Sequence, residues 1–230
     1  SFESFEISSG LNNKSEQEKT SFKKSKLNKR QVGILLGVNF TSLIGEDKNN
    51  FSNALDIAYG QNNLVPSAGF KIGLSVLEER VNKRNQPYNI SSELYLEKKG
   101  FAIQDNNGNY IKDSFLYLTN TVIYHGIINT QGNSVLTIDF GLFNSVILLG
   151  ATKSNIDGYE NSDSFEAPET GLNWLDNGFI SGLSLSNKIN DAGYCISLRF
   201  MPSFFSIYDP DFSNLSISWF NFSLGGILYF

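Results

Sequence analysis

From Gln31 onward the chain alternates, one residue apolar and the next small or polar, over stretch after stretch. A side-chain period of two is the signature of a β-strand with two unlike faces. The pattern predicts about eight strands separated by turn chemistry, at roughly 31–43, 67–80, 88–104, 110–127, 134–151, 175–187, 193–208 and 216–230. In the first, Val32, Ile34, Leu36, Val38 and Phe40 oppose Gly33, Leu35, Gly37, Asn39 and Thr41. In the third, Leu94 and Leu96 oppose Glu93, Tyr95 and Glu97. The fourth departs from the pattern, because Asn120 stands on the face that carries Leu116, Leu118, Val122 and Tyr124. In the last, SISWFNFSLGGILYF, the residues Phe220, Phe222, Leu224, Leu228 and Phe230 share one face, and Trp219, Asn221, Ser223, Gly225 and Tyr229 the other.

The connections carry their own pattern. Those at about 44–66 and 152–174 are long and polar, and most of the others are short, including the hairpin signal NNGN at 106–109. An even number of strands returns the chain to its starting side, so the expectation is an all-β, eight-stranded, antiparallel up-and-down transmembrane β-barrel. Long connections belong outside the cell, and both termini fall on the periplasmic side. A strand that stays apolar to the final residue is the closing strand such a barrel requires, pairing with the first. The domain expectation is a polar, flexible periplasmic segment over 1–30 and a barrel over 31–230.

A soluble barrel would point its apolar face inward around a ligand, and a membrane barrel points it outward to lipid. The mixed face decides for the membrane. It carries Gly, Ser, Thr and Tyr with isolated charges at Lys71, Glu93, Glu97, Asp139, Asp176 and Arg199, which pair across a narrow interior and plug it. Aromatic residues gather toward strand ends, Phe40, Phe101, Tyr110, Phe115 and Tyr208 at one and Tyr88, Tyr124, Tyr194, Tyr229 and Phe230 at the other, as two interfacial girdles would.

Composition narrows the class. No stretch approaches the roughly 18 unbroken apolar residues of a membrane helix. A net charge of -5 argues against a nucleic-acid partner. The single cysteine, Cys195, excludes a disulfide framework and a multi-cysteine metal site, and it reads as a small lumen filler. A start at Ser1 without a hydrophobic core is expected of a processed, exported form. Residues 1–30 run from acidic (Glu3, Glu6, Glu16, Glu18) to basic (Lys19 to Arg30), and the alternation of Phe5 and Ile7 in SFESFEIS suits strand addition to a partner's sheet.

Chemistry is sparse. His125, the only histidine, sits near a periplasmic strand end with no partner motif in the local sequence, and reads as an interfacial polar residue, not a base. The acidic residues of 152–169 lack the ligand spacing of a calcium loop and read as a solvated external loop. No catalytic residues, metal or cofactor are expected.

In order and texture, VGILLGVNF, SAGFKIGLSV, SSELYLEKKGF, FLYLTNTVIY and SLGGILYF over about 31–230 resemble the PorT-like small outer-membrane barrels of Bacteroidetes-type bacteria. The family's fourth-strand acidic residue and proline are missing, with Thr119 and Thr121 in their place. The resemblance implies an outer-membrane barrel inserted by the barrel-assembly machinery, which would read Phe220, Phe222, Leu224, Leu228 and Phe230. It implies contact with outer-membrane lipid and lipopolysaccharide, and partnership with other outer-membrane or periplasmic proteins as an accessory subunit of a secretion or assembly machine, type IX secretion included. The alternatives are a stand-alone surface barrel that binds through 44–66 and 152–174, and, last, a lipid-modifying enzyme.

Overall fold

The computed structural model describes residues 30–45, 62–82, 86–165, 172–189, 192–207 and 216–230. They form nine antiparallel strands: β1 (Arg30–Ile44), β2 (Asn62–Val81), β3 (Pro87–Asp105), β4 (Tyr110–Gln131), β5 (Ser134–Ile156), β6 (Tyr159–Phe165), β7 (Leu175–Ile189), β8 (Ala192–Pro202) and β9 (Ser218–Tyr229). Eight of them close a ring in the order β1-β2-β3-β4-β5-β7-β8-β9, shut by the pairing of β9 with β1. In that seam Gly33 faces Tyr229 and Ile44 faces Ser218, and Phe230 N–H donates to Val32 O at 2.9 Å. The start of β1 and the end of β9 therefore lie at one end of the barrel.

The alternation sets the orientation of every strand. Each ring strand turns a large apolar side chain outward, among them Leu36, Leu74, Leu94, Val122, Leu142, Leu183, Ile196 and Leu228, all of them exposed. The mixed face points in, where Asn39, Thr41, Ser75, Thr119, Ser145 and Asn221 are buried. Among the described residues no helix is long and apolar enough to cross a membrane.

Three expectations need correction. The stretch 152–174 is not simply a loop: β5 runs on to Ile156, turns at Asp157–Gly158 and returns as β6. Both turn residues have positive φ (52° and 83°), the conformation that an Asp-Gly pair adopts in a two-residue hairpin. Second, the seventh of the expected strands stops at Pro202, after which Phe204 N–H donates to Asn177 O (2.7 Å) and folds the chain across β7. Third, the aromatic girdles are only partial. Phe101, Phe115 and Tyr229 are buried inside the barrel, because they fall on the inward parity of their strands, while Phe40, Tyr124, Tyr194 and Phe230 stay on the outer surface. Tyr208 lies outside the described residues.

The interior is layered. At the end where β3–β6 project, Leu43, Phe101, Phe115, Tyr117 and Trp219 pack into an apolar plug, fixed by Trp219 Nε1 donating to Tyr117 Oη at 2.9 Å. At the end shared by the start of β1 and the end of β9, Leu35, Leu77, Tyr95, Cys195, Ile227 and Tyr229 form a second. Ionised and hydroxyl side chains occupy the space between. Turn chemistry closes the β3–β4 hairpin: Asn107 and Asn109 N–H both donate to Asp105 Oδ1 at 2.8 Å.

Candidate functional site

The chemistry of this chain is concentrated in its interior. All six charged residues singled out in the sequence are buried there: Lys71, Glu93, Glu97, Asp139, Asp176 and Arg199. They divide into two groups. In the first, Glu97 takes ion pairs from Lys71 (3.7 Å) and Lys99 (3.2 Å), and Lys99 also reaches Asp176 at 2.6 Å. Glu97 further accepts from Thr119 Oγ1 (2.8 Å) and Asn221 Nδ2 (3.1 Å). Lys99 lies 4.6 Å above the Tyr117 ring and Lys71 4.9 Å above the Tyr95 ring, so each ammonium also meets a π face. In the second group Arg199 pairs with Glu93 (2.7 Å) and Asp139 (3.3 Å).

Three cations (Lys71, Lys99, Arg199) thus meet four carboxylates (Glu93, Glu97, Asp139, Asp176). Hydroxyl and amide donors serve Glu97 and Asp139, which offsets much of the desolvation penalty of those two carboxylates, while Glu93 Oε1 and Asp176 Oδ1 have no partner among the described residues. Glu93 and Asp176 are each held by a single cation. For Glu93, that leaves Oε2 dependent on Arg199.

Lys99 did not figure among the sequence candidates, although parity could have found it. Positions 93, 95, 97 and 99 of β3 all point inward. The larger correction concerns His125. It is not interfacial: it is only 5% exposed and stands on the inward face of β4. Its Nδ1 lies 2.7 Å from Asp139 Oδ1 and its Nε2 2.8 Å from Ser91 Oγ. With the proton on Nδ1, Asp139 accepts from the ring and Nε2 accepts from the serine hydroxyl. Asp139 is held in turn by Thr137 and Ser184. The partners are 34 and 14 residues away in sequence, so no local motif reports them; the register His125↔Asp139 brings them together.

Serine, histidine and aspartate in this order have the connectivity of a nucleophilic triad. The surroundings differ from those of a working one. Ser91 is 1% exposed, and it sits in mid-strand between β2 and β4, paired with Leu77 on one side and Ile123 on the other. Its neighbouring backbone donors serve the two ladders, so they are not gathered into an oxyanion hole. What the arrangement can do is lock β3, β4, β5 and β7 to one another through a chain of hydrogen bonds.

Cys195 is buried in the apolar cluster at the end shared by the start of β1 and the end of β9. Phe220, Phe222, Leu224, Leu228 and Phe230 line the outer face of β9. Phe5, Ile7 and residues 46–61 lie outside the described residues. Among the described residues no group of histidine, cysteine or carboxylate side chains is placed to hold a metal ion.

No family model and no curated protein matches this chain. Solved structures do. Ail, the attachment invasion locus protein of Yersinia pestis, crystallised with the heparin analogue sucrose octasulfate, is 12% identical with a TM-score of 0.38, over 88% of this chain and 99% of Ail. Neisserial surface protein A is 10% identical with a TM-score of 0.44, over 86% of this chain and 97% of that one. The outer membrane protein OprG of Pseudomonas aeruginosa is 10% identical with a TM-score of 0.41, over 87% and 94%.

Proposed function

We propose that this chain is an integral β-barrel of a bacterial outer membrane that conducts nothing, catalyses nothing and serves as a protein-binding scaffold. The observation that carries the reading is the reversal of a soluble protein's polarity. Every ring strand exposes large apolar side chains, while seven charged residues and His125 are buried inside, between two apolar plugs. An exterior of that kind needs lipid around it. An interior of that kind leaves no continuous aqueous path, since an eight-stranded barrel is just wide enough for its side chains to fill.

The part left to make contacts is the projecting sheet at the Trp219 end. There β6 pairs with β5, and its other edge pairs with nothing among the described residues. An unpaired edge is a template for a partner's strand. It is acidic, with Glu160 and Asp163, and its first residue, Tyr159, is 82% exposed. This favours an extended, basic protein segment as the partner. On this reading the projecting sheet faces outward from the cell, both termini face the periplasm, and the outer face of β9 is what the barrel-assembly machinery reads on insertion.

The test combines topology with conductance. A Tyr159→Cys variant should react with a membrane-impermeant maleimide on intact cells, while wild-type Cys195 stays silent. Labelling only after the outer membrane is opened would put the projecting sheet in the periplasm and refute an external partner. A large, stable conductance in planar bilayers would refute the plug. A second reading, an accessory subunit of a secretion or assembly machine that docks through residues 1–30, is favoured by the same plugged interior and the resemblance to PorT-like barrels. Deleting 1–29 should then release the partners and leave the barrel folded.

A further inference from the structure

The apolar belt is interrupted by isolated serines, Ser92 and Ser181, and by one row of amides that the scaffold reading does not use. Asn120 of β4, Asn144 of β5 and Asn177 of β7 are consecutive register partners, so their side chains form a row across three neighbouring strands. Outward-facing cross-strand neighbours of this kind lie about 4.5–5.5 Å apart. The row has apolar residues on both sides: Leu118, Val146 and Leu175 above, Val122, Leu142 and Phe179 below. None of the three amides makes a side-chain hydrogen bond among the described residues. Amides bordered by apolar residues and left without partners by the protein call for a polar partner there.

The row also has a shape. It forms the polar end of a recess of about 350 Å³ in the outer wall, whose apolar end is Val122, Leu142 and the Phe204 ring. That volume lies within the usual range of small-molecule sites, about 300–1,000 Å³. The recess exists because β8 ends at Pro202 and the chain folds across β7 at Phe204, raising one rim above the wall. Phe143 and Gly178 line its floor; Gly178 is on the inward parity of β7, and a Cβ there would stand 2.1 Å from Pro202 O and 2.5 Å from the buried Phe143 ring. Depth can be read from Asn177, just inside the start of β7 and close to the exposed Trp174. Indole rings settle at the boundary between hydrocarbon and headgroups. Lipid acyl linkages occupy the same boundary.

We infer that this recess binds one membrane lipid, with the carbonyl of its acyl linkage on the Asn120–Asn144–Asn177 row and the first part of its chain against Val122, Leu142 and Phe204. The inference rests on the membrane reading above. The amide N–H groups donate to the linkage, and the recess takes the methylenes, so polar and apolar ends match an amphiphile in order. A second copy of this chain matches less well, because a recess apposed to its own image leaves a void.

The test uses the full chain in phosphatidylethanolamine vesicles doped with a diacyl lipid that carries a diazirine near its acyl linkage. Photocrosslinks should concentrate on peptides containing Val122, Leu142 and Phe204, relative to Leu36 and Leu74 on the far wall. The triple variant Asn120→Leu, Asn144→Leu, Asn177→Leu should lower them about tenfold, the loss of roughly one good hydrogen bond. It should stay folded, since it only removes unpaired amides from an apolar belt. Val122→Trp, which fills the recess from its apolar end and keeps the amides, should lower the crosslinks as well. Crosslinks spread evenly round the belt, or unchanged in both variants, would overturn the inference. So would a dimer of the Asn144→Cys variant, trapped by a disulfide across the row, that excludes the lipid. A chain that fails to enter vesicles at all would instead overturn the membrane reading itself.

Discussion

Removing Arg199 should strand a carboxylate inside the barrel, and the structure says which one. Arg199 holds Glu93 at 2.7 Å and Asp139 at 3.3 Å. Asp139 keeps His125, Thr137 and Ser184 when the guanidinium is gone. Glu93 keeps nothing, because Oε1 already lacks a partner and Oε2 has only Arg199. Breaking a buried pair from one side costs about 3–5 kcal/mol, most of it the penalty of the charge left behind. At about 1.4 kcal/mol per factor of ten, Arg199→Met should therefore lower the folding equilibrium constant by roughly 10²–10⁴. Adding Glu93→Gln, which removes the stranded charge, should recover most of that loss, since exchanging both members of a buried pair is often close to neutral. The measurement is urea titration of the barrel refolded in lipid vesicles, followed by fluorescence of Trp174 and Trp219. Arg30→Ala serves as the control: the arginine is 70% exposed and Glu78 keeps Arg80 as a partner, and such surface pairs contribute about 0–1 kcal/mol. A single variant that costs less than about 1 kcal/mol would refute the reasoning, and so would a double variant no better than the single.

Trp219→Ala empties the plug beneath the projecting sheet and breaks the bond to Tyr117, and it should cost about 3–5 kcal/mol in the same titration and remove near-ultraviolet ellipticity. Gly178→Ala forces a methyl group against Pro202 O and the Phe143 ring, and overpacking of this kind should cost about 1–3 kcal/mol, with amide exchange rising first around Ser203 and Phe204. Ser91→Ala leaves buried His125 Nε2 without a donor and should cost about 1–3 kcal/mol. A fluorophosphonate probe should leave Ser91 unlabelled in the folded barrel; labelling that His125→Ala abolishes would show a working nucleophile and refute the sealed-lock reading.

Sequence alone determined the architecture and its polarity. Parity is a local property: once a strand is recognised, every second residue shares a face, and a barrel has only an inside and an outside. The outward belt of Val32, Ile34, Leu36, Val38 and Phe40, the inward Lys71, Glu93 and Arg199, and the outward Asn120 all follow from counting by two. The same count would have placed Lys99 and His125 inside, and the Asp-Gly pair at 157–158 is a legible hairpin signal within what otherwise reads as a loop. Tertiary structure alone decided who meets whom. Register is a property of pairs of strands, and a shift of one residue would change every neighbour without altering the composition of either strand. Hence the charges inside could be foreseen, but not that Lys99 bridges Glu97 and Asp176, or that His125 stands between Ser91 and Asp139. The row of Asn120, Asn144 and Asn177 depends on register in the same way: three separate polar residues in sequence become one site when three strands align.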